Sequence, residues 1–210
     1  AISLTTELFR EERDGIFRQR GDVPWYVGII NLPYANLGAV NNNGLDATLD
    51  FNKKIGKDFQ LGLRGNITWN RAKVIDDANA PWPYPWQQRI GRKLGQRFGY
   101  TALGLFQSEE EIANSPYQPG TNKPGDIKYK DLNGDGRIDS YDQGPIGYGS
   151  IPEIVYGFGP TFNWKNWSLA AWFKGISNVD ISLNGDGFRP FTYGGERGNL
   201  LAEISNRWTP

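Results

Sequence analysis

From Asp58 to Asn70 the chain reads DFQLGLRGNITWN, and apolar and polar residues alternate almost without interruption. Phe59, Leu61, Leu63, Ile67 and Trp69 fall on one side; Gln60, Gly62, Arg64, Asn66, Thr68 and Asn70 fall on the other. Successive side chains of a strand point to opposite faces, so this pattern specifies a strand with one apolar and one polar face. Phe59 and Trp69 bracket the apolar side. At roughly 3.3 Å per residue and a tilt near 45°, the interval between them spans about 25 Å of height, the band that a lipid-facing barrel strand presents. A soluble sandwich alternates in the same way, so this strand alone leaves two readings open.

Other segments repeat the pattern. Ile2–Arg10 alternates with Ile2, Leu4, Thr6 and Leu8 on one side, and Gly44–Asn52 with Leu45, Ala47, Leu49 and Phe51. Ile154–Trp164 places Ile154, Tyr156, Phe158, Phe162 and Trp164 against Val155, Gly157, Gly159, Thr161 and Asn163, and Lys165-Asn166 then leads into Trp167–Ile176. A two-residue link of this kind predicts a hairpin. Between Asp14 and Asn43, rich in Gly, Pro and Asn, VPWYVGII is a candidate short strand. Glu196–Trp208 has helical spacing, with Leu200, Leu201, Ile204 and Trp208 recurring. The links between strong strands run long, short, long, short, long. A transmembrane barrel has brief periplasmic turns and extended outer loops, whereas a soluble Greek key has no reason to keep that parity. Aromatics also flank the short turns: Phe51 and Phe59 at one, Trp164 and Trp167 at the other. Such residues belong at a membrane–water boundary.

Composition agrees. Twenty-three basic residues balance 23 acidic ones, which argues against a nucleic-acid partner. Hydrophobic content is 38%, and no apolar run is long enough for a membrane helix. There are 27 glycines, and aromatics make up 14% of the chain, as fits many strands joined by turns. The absence of Cys excludes disulfides and thiol chemistry, and the absence of His removes the usual general base and the commonest zinc ligand. Five strands cannot close a barrel, and an open sheet in lipid leaves orphan backbone groups. The chain also starts without Met in mid-strand, so it reads as a piece of a longer polypeptide.

Two motifs carry chemistry. Asp131–Asp142 (DLNGDGRIDSYD) places Asp131, Asn133, Asp135, Asp139 and Asp142 at positions 1, 3, 5, 9 and 12 of a calcium loop. Gly136 takes the sharp turn at position 6, and the Arg137 carbonyl falls at position 7. No long helix flanks it, so the expectation is a structural Ca2+ loop without EF-hand architecture; the competing reading is a turn closed by its own side chains. Pro81–Trp86 (PWPYPW) interleaves Trp82, Tyr84 and Trp86 with prolines, a stiff platform for sugar rings or a partner, or a cluster that folds the loop shut. Glu109–Glu111 read as the start of a short helix capped by Ser108. Neither these nor Asp76, Asp77 and Asp126 form the fixed carboxylate pair a glycosidase needs. Gly147–Gly149 does not match a phosphate-cradling loop. No catalytic residue is predicted.

The runs GQRFGYTALGLFQSEEEI (Gly95–Ile112), PGDIKYKDLNGDGRIDSYD (Pro124–Asp142) and IGYGSIPEIVYGFGPTF (Ile146–Phe162) resemble the SusC/RagA family of TonB-linked outer-membrane transporters. LPYANLGAVNNNGLDATLDF (Leu32–Phe51) and RGNLLAEISNRWTP (Arg197–Pro210) look like the same family. The resemblance implies a large single-chain barrel in the bacterial outer membrane, filled by an N-terminal plug and driven by the TonB complex through parts absent from this chain. It further implies a SusD-like lipoprotein over the extracellular mouth, and oligosaccharide or peptide cargo. It assigns no catalytic residue.

The expectation is therefore an all-β stretch of a transmembrane barrel, with residues 1–210 in the barrel domain and about five antiparallel strands. They lie near 1–11, 44–53, 58–71, 153–165 and 167–180, surrounded by outer-membrane lipid. Residues 12–43, 72–152 and 181–210 would form long extracellular loops, with the Asp-rich loop inside 72–152. The rival is a secreted soluble β-sandwich that binds glycans through a calcium-braced loop; a glycoside hydrolase ranks last.

Overall fold

The alternating segments pair side by side in one antiparallel sheet. The computed structural model describes residues 1–184, 188, 198 and 201–209. In chain order the strands are β1 (Ile2–Gln19), β2 (Tyr34–Ile55), β3 (Phe59–Asp76), β4 (Arg97–Gly99), β5 (Ala102–Leu105), β6 (Ile127–Tyr129), β7 (Gly144–Ile146), β8 (Ile154–Trp164), β9 (Trp167–Ala170) and β10 (Phe173–Ser177). The main sheet runs β1-β2-β3-β8-β10, with β9 also on β8. The register puts the sequence's apolar residues in rows across it. Leu4, Leu49, Gly65, Phe158 and Phe173 form one row; Leu8, Leu45, Trp69 and Ile154 form another. A slip of one residue would turn every one of these side chains to the opposite face.

β9 and β10 were expected as one strand, and they keep one register: Ala170 faces Thr161 and Phe173 faces Phe158. The interruption at Ala171–Trp172 has a local cause. Ala171 N–H donates to Pro160 at 3.2 Å, so this side of Pro160 faces Ala171, yet proline has no N–H to return. The five expected crossings are thus present as β1, β2, β3, β8 and the interrupted β9–β10.

The strand lengths correct the sequence reading. β1 has 18 residues, β2 has 22 and β3 has 18. Much of 12–43 is ladder rather than loop, because β1 continues to Gln19 and β2 starts at Tyr34; β3 likewise enters the expected loop as far as Asp76. Beyond Leu8, Leu45 and Trp69 the next row on that side is Arg10, Asn43 and Arg71, so the apolar alternation fades while backbone pairing continues. VPWYVGII is not a strand: Trp25–Val27 is a single 3-10 turn. Pro24, which lacks an N–H, and Gly28, in a left-handed conformation, deny it a ladder. Of the expected terminal helix, Glu196–Trp208, the described part holds a 3-10 segment, Ala202–Asn206; Glu196, Arg197, Asn199 and Leu200 lie outside the described residues.

The chain divides into two units. The first holds the main sheet: Ala1–Trp82, Gln88–Arg97 and Gly147–Asp180. The second comprises Pro83–Gln87, Phe98–Ile146 and the described residues after Asp180, and carries the β4–β7 and β5–β6 pairs. Among the described residues only Val74 and Ala78 in the first unit, and Phe106 and Ile138 in the second, are buried apolar side chains. In the second unit Ser108 caps the five-residue helix α1 (Glu109–Ala113) as expected, its hydroxyl accepting from Glu111 N–H at 3.1 Å.

Candidate lipid-facing wall, rim and loop site

The sheet has two unlike faces. One carries Leu4, Leu8, Leu49, Ile67, Phe158, Phe162 and Leu169, with nothing layered over them: Leu8 is 77% exposed, Leu4 67% and Leu169 66%. Leu61, Leu63 and Trp69 are half-buried by their neighbours in the sheet, not enclosed in a core. A water-soluble sandwich would cover this face with a second sheet. The total surface, 15235 Å², compares with about 9,800 Å² for a compact monomer of this size. Trp164 and Trp167 pair across the Lys165-Asn166 turn, and Phe59 adjoins Trp164, so aromatics line the turn end. A shallow notch of about 310 Å³ opens on the apolar face where Gly65 presents no side chain between Leu49 and Phe158.

The opposite face is polar and bonded across strands. Arg64 Nε lies 2.9 Å from Asp50, and Thr68 donates to Asp46 at 2.5 Å. Glu7, Asp46 and Thr68 share one row; Thr5, Thr48, Asn66, Gly157 and Lys174 share another. Two rings lie here over glycines. A Cβ on Gly44 would sit 2.0 Å from the Phe9 ring, and one on Gly159 would sit 2.5 Å from Trp172. This face therefore suits water, and the other suits an apolar medium.

At the far end of the sheet β8 starts at Ile154, opposite Trp69, while β3 runs on to Asp76. The vacated edge of β3 is taken by residues 91–94. Gly91 and Leu94 N–H donate to Val74 and Ala72 at 2.7 and 2.8 Å, and Val74 N–H donates to Arg92 at 2.9 Å. Gly91 (φ +81°) and Gly95 (φ +77°) turn the chain into and out of this stretch, backbone values that side chains resist. Glu153, just outside β8, is 2% exposed. Its carboxylate accepts from Arg71 Nε and Nη2 at 2.8 Å each and from Asn178 Nδ2 at 3.0 Å, with Lys93 Nζ 3.7 Å away. The bonds from Arg71 hold the Glu153 carboxyl below the usual carboxylate range, outweighing its burial. Asp180 is likewise held low, by the backbone N–H groups of Gly149 and Tyr148. Sequence reading missed Glu153. A usable signal was present: it is the only acidic residue between Asp142 and Asp180, set in the apolar run Ile151-Pro152-Glu153-Ile154-Val155.

The predicted aromatic platform is divided between the units. Trp82 belongs to the first, and the Arg89 guanidinium lies 5.3 Å from its ring. Tyr84 and Trp86 belong to the second and stack with centroids 4.6 Å apart. They fold onto the Asp-rich loop: Trp86 Nε1 donates to the Tyr141 carbonyl at 2.7 Å, and Tyr84 meets the Tyr141 ring edge-on at 5.6 Å. The second reading of this cluster, a loop folded shut, describes that packing.

In the loop itself the acidic side chains bind backbone amides. Asp131 accepts from Gly134 and Gly136 N–H at 2.6 and 2.8 Å, and Asp135 from Arg137 N–H at 2.8 Å. Asn133 accepts from Asp135 N–H, and Asp139 from Tyr141 N–H. Asp142, fully buried, accepts from Leu132 at 2.7 Å and Asp139 at 2.8 Å. Gly134 and Gly136 take left-handed φ values of +74° and +82°. Among the described residues no three acidic side chains converge on a common point. These contacts tie the loop through backbone amides, and the carboxylate oxygens of Asp131 and Asp135 each keep a further lone pair that a cation could use.

No family model matches the chain. Individual proteins do. TonB-dependent receptor P3 of Formosa agariphila is 25% identical over 200 residues, covering 90% of this chain and 19% of that protein. TonB-dependent receptor SusC of Bacteroides thetaiotaomicron is 24% identical over 142 residues, covering 62% of this chain and 14% of that protein. The chain is thus similar to TonB-dependent receptors, SusC among them. It spans about a fifth of the length of the curated relatives it matches. The RagAB peptide transporter shares the fold with a TM-score of 0.64 at 19% identity, over 99% of this chain and 23% of that one. The RagAB peptide importer in its closed-closed state gives 0.58 at 18% identity, over 85% and 19%. The sheet thus corresponds to part of a RagA-like barrel.

Proposed function

We propose that this chain is a stretch of barrel wall, with its extracellular loops, in a TonB-dependent importer of the bacterial outer membrane. The observation that carries the reading is the continuous apolar face of β1, β2, β3 and β8, left uncovered and ending together at Leu8, Leu45, Trp69 and Ile154. Hydrocarbon is the solvent for which such a face is suited. The polar face then lines the lumen, and the two short turns lie on the periplasmic side. Cargo of the oligosaccharide or peptide class would be captured outside under a SusD-like lipoprotein and released inward when the TonB complex acts on parts of the protein outside this chain. The kinship with SusC and the fold shared with the RagAB peptide transporter support this assignment. The role is transport rather than catalysis. Trp82, Tyr84 and Trp86 are proposed as cargo or partner contacts.

Single cysteines placed in the full-length receptor test the wall. In intact outer membranes, cysteine at Leu61, Leu63 or Ile67 should resist a water-soluble maleimide, while cysteine at Arg64 or Thr68 should react once the lumen is open. Equal labelling at both sets would remove the membrane assignment. Trp82→Ala should weaken cargo uptake without lowering the amount of receptor in the membrane; unchanged uptake would remove Trp82 from the contact set.

A further inference from the structure

We propose that Glu153 is a positioning residue that pins both roots of the Phe98–Ile146 insert to the far end of β3. The insert leaves the sheet through residues 88–97 and returns through 147–153, and both stretches meet around this one carboxylate. Arg71, from β3, forks onto it. Lys93, from the outgoing root, lies beside it and donates to the Ile151 carbonyl at 2.8 Å on the returning root. Asn178, where the chain leaves β10, donates to Glu153 through its side chain, and its carbonyl accepts from Lys93 at 3.3 Å. Asn178 holds a left-handed φ of +55° in doing so.

The roots also close on each other. Gln96 Nε2 donates to the Gly147 carbonyl at 3.0 Å. A Cβ on Gly149 would come within 2.5 Å of the Gly95 carbonyl oxygen, so the two backbones approach as only glycine allows. Asp180 adds a second clasp, accepting from Tyr148 and Gly149 N–H at 2.5 and 2.9 Å. A carboxylate this enclosed needs all its partners. Losing its charge leaves Lys93 and Arg71 facing a poorer acceptor, and the contacts it joins come from four separate stretches of chain. The pin holds residues 88–97 and 147–153 to each other and to β3, whichever cargo the receptor carries. The inference rests on contacts within the sheet unit and goes beyond the importer reading.

The test is hydrogen exchange on the full-length receptor in detergent or native vesicles, comparing wild type with Glu153→Gln. Glutamine keeps the shape and removes the charge. The expected result is exchange at least ten-fold faster in 88–97, 147–153 and 177–180, with Leu45–Leu63 unchanged and the barrel's unfolding temperature preserved. Unaltered exchange at the roots, or equal acceleration across the band, would overturn the pin. Should Glu153→Gln fail to assemble, Asn178→Ala removes one donor only; root exchange must then rise while the band stays protected, and no rise there overturns the proposal equally.

Discussion

Two parts of the same strand, β3, make the instructive comparison. From Phe59 to Trp69 its outward row is apolar, its inward row is polar, and β2 and β8 flank it. From Asn70 to Asp76 the ladder with β2 continues, but the sequence becomes Asn-Arg-Ala-Lys-Val-Ile-Asp and residues 91–94 replace β8 at its edge. Antiparallel pairing with β2 runs through both parts, broken only by one register shift between Val74 and Asp76. On the proposed importer reading, what changes is the medium each face meets. Alternation therefore reports where one side of a strand lies in an apolar medium, not where the strand begins or ends.

The largest expected effect would break this comparison if it failed. Leu63 lies within the apolar band, and Ile75 lies twelve residues on, at the register shift near the end of β3. Leu63→Arg should destabilise the assembled receptor by about 2–4 kcal/mol, the cost of a cation near the middle of a lipid-facing band. Ile75→Arg, beyond the band at an exposed position, should cost less than about 0.5 kcal/mol. Denaturant unfolding in vesicles measures both. Equal costs would mean that the two parts of β3 face the same solvent.

A smaller effect sharpens where inward packing begins. Gly44, level with Asn70, lies under the Phe9 ring. Gly44→Ala should cost about 1–3 kcal/mol, because the ring must move to admit the methyl group. In a Phe9→Ala background the same change should cost less than half as much. Additive costs in the double-mutant cycle would show that the ring and the glycine do not meet.

How much was legible follows from the same contrast. The band residues, both short turns and the Ser108 cap were readable because each rests on a local rule: alternation, link length, a hydroxyl before a helix. The overshoot of β1–β3 was hidden because the apolar alternation stops at the row of Arg10, Asn43 and Arg71. Glu153 was hidden because its partners Arg71, Lys93 and Asn178 are 25 to 82 residues away in sequence and its own neighbourhood looks apolar. Tyr84 and Trp86 read equally as a free platform or a folded loop, since the choice depends on Tyr141 being within reach.

The pH dependence separates the rim from the band without mutation. Glu153 and Asp180 both have depressed carboxyl values in the folded state. Their contribution is complete above the ordinary unfolded value, near 4, and is lost as pH falls through the lower folded values. Proteolysis at residues 88–97 should rise below about pH 4, while the band, held by its continuous backbone ladder, stays protected. Loss of both together would deny the rim a separate stability.

The smallest expected effect concerns the Asp-rich loop. Its carboxylates already order the loop through the Gly134, Gly136, Leu132 and Asp139 amides, so a cation there has little left to add. Extracellular sites of this ligand set have Kd values near a millimolar, and ~2 mM Ca2+ then adds only ~0.6 kcal/mol. Thermal unfolding of the wild-type receptor should rise by a degree or so in calcium over chelator. Asp131→Ala with Asp135→Ala should lower stability in calcium and erase that difference. If wild type itself melts identically in calcium and chelator, the amide bonds are the loop's whole fastening. The spacing of Asp131, Asn133, Asp135, Asp139 and Asp142 would then reflect turn chemistry alone.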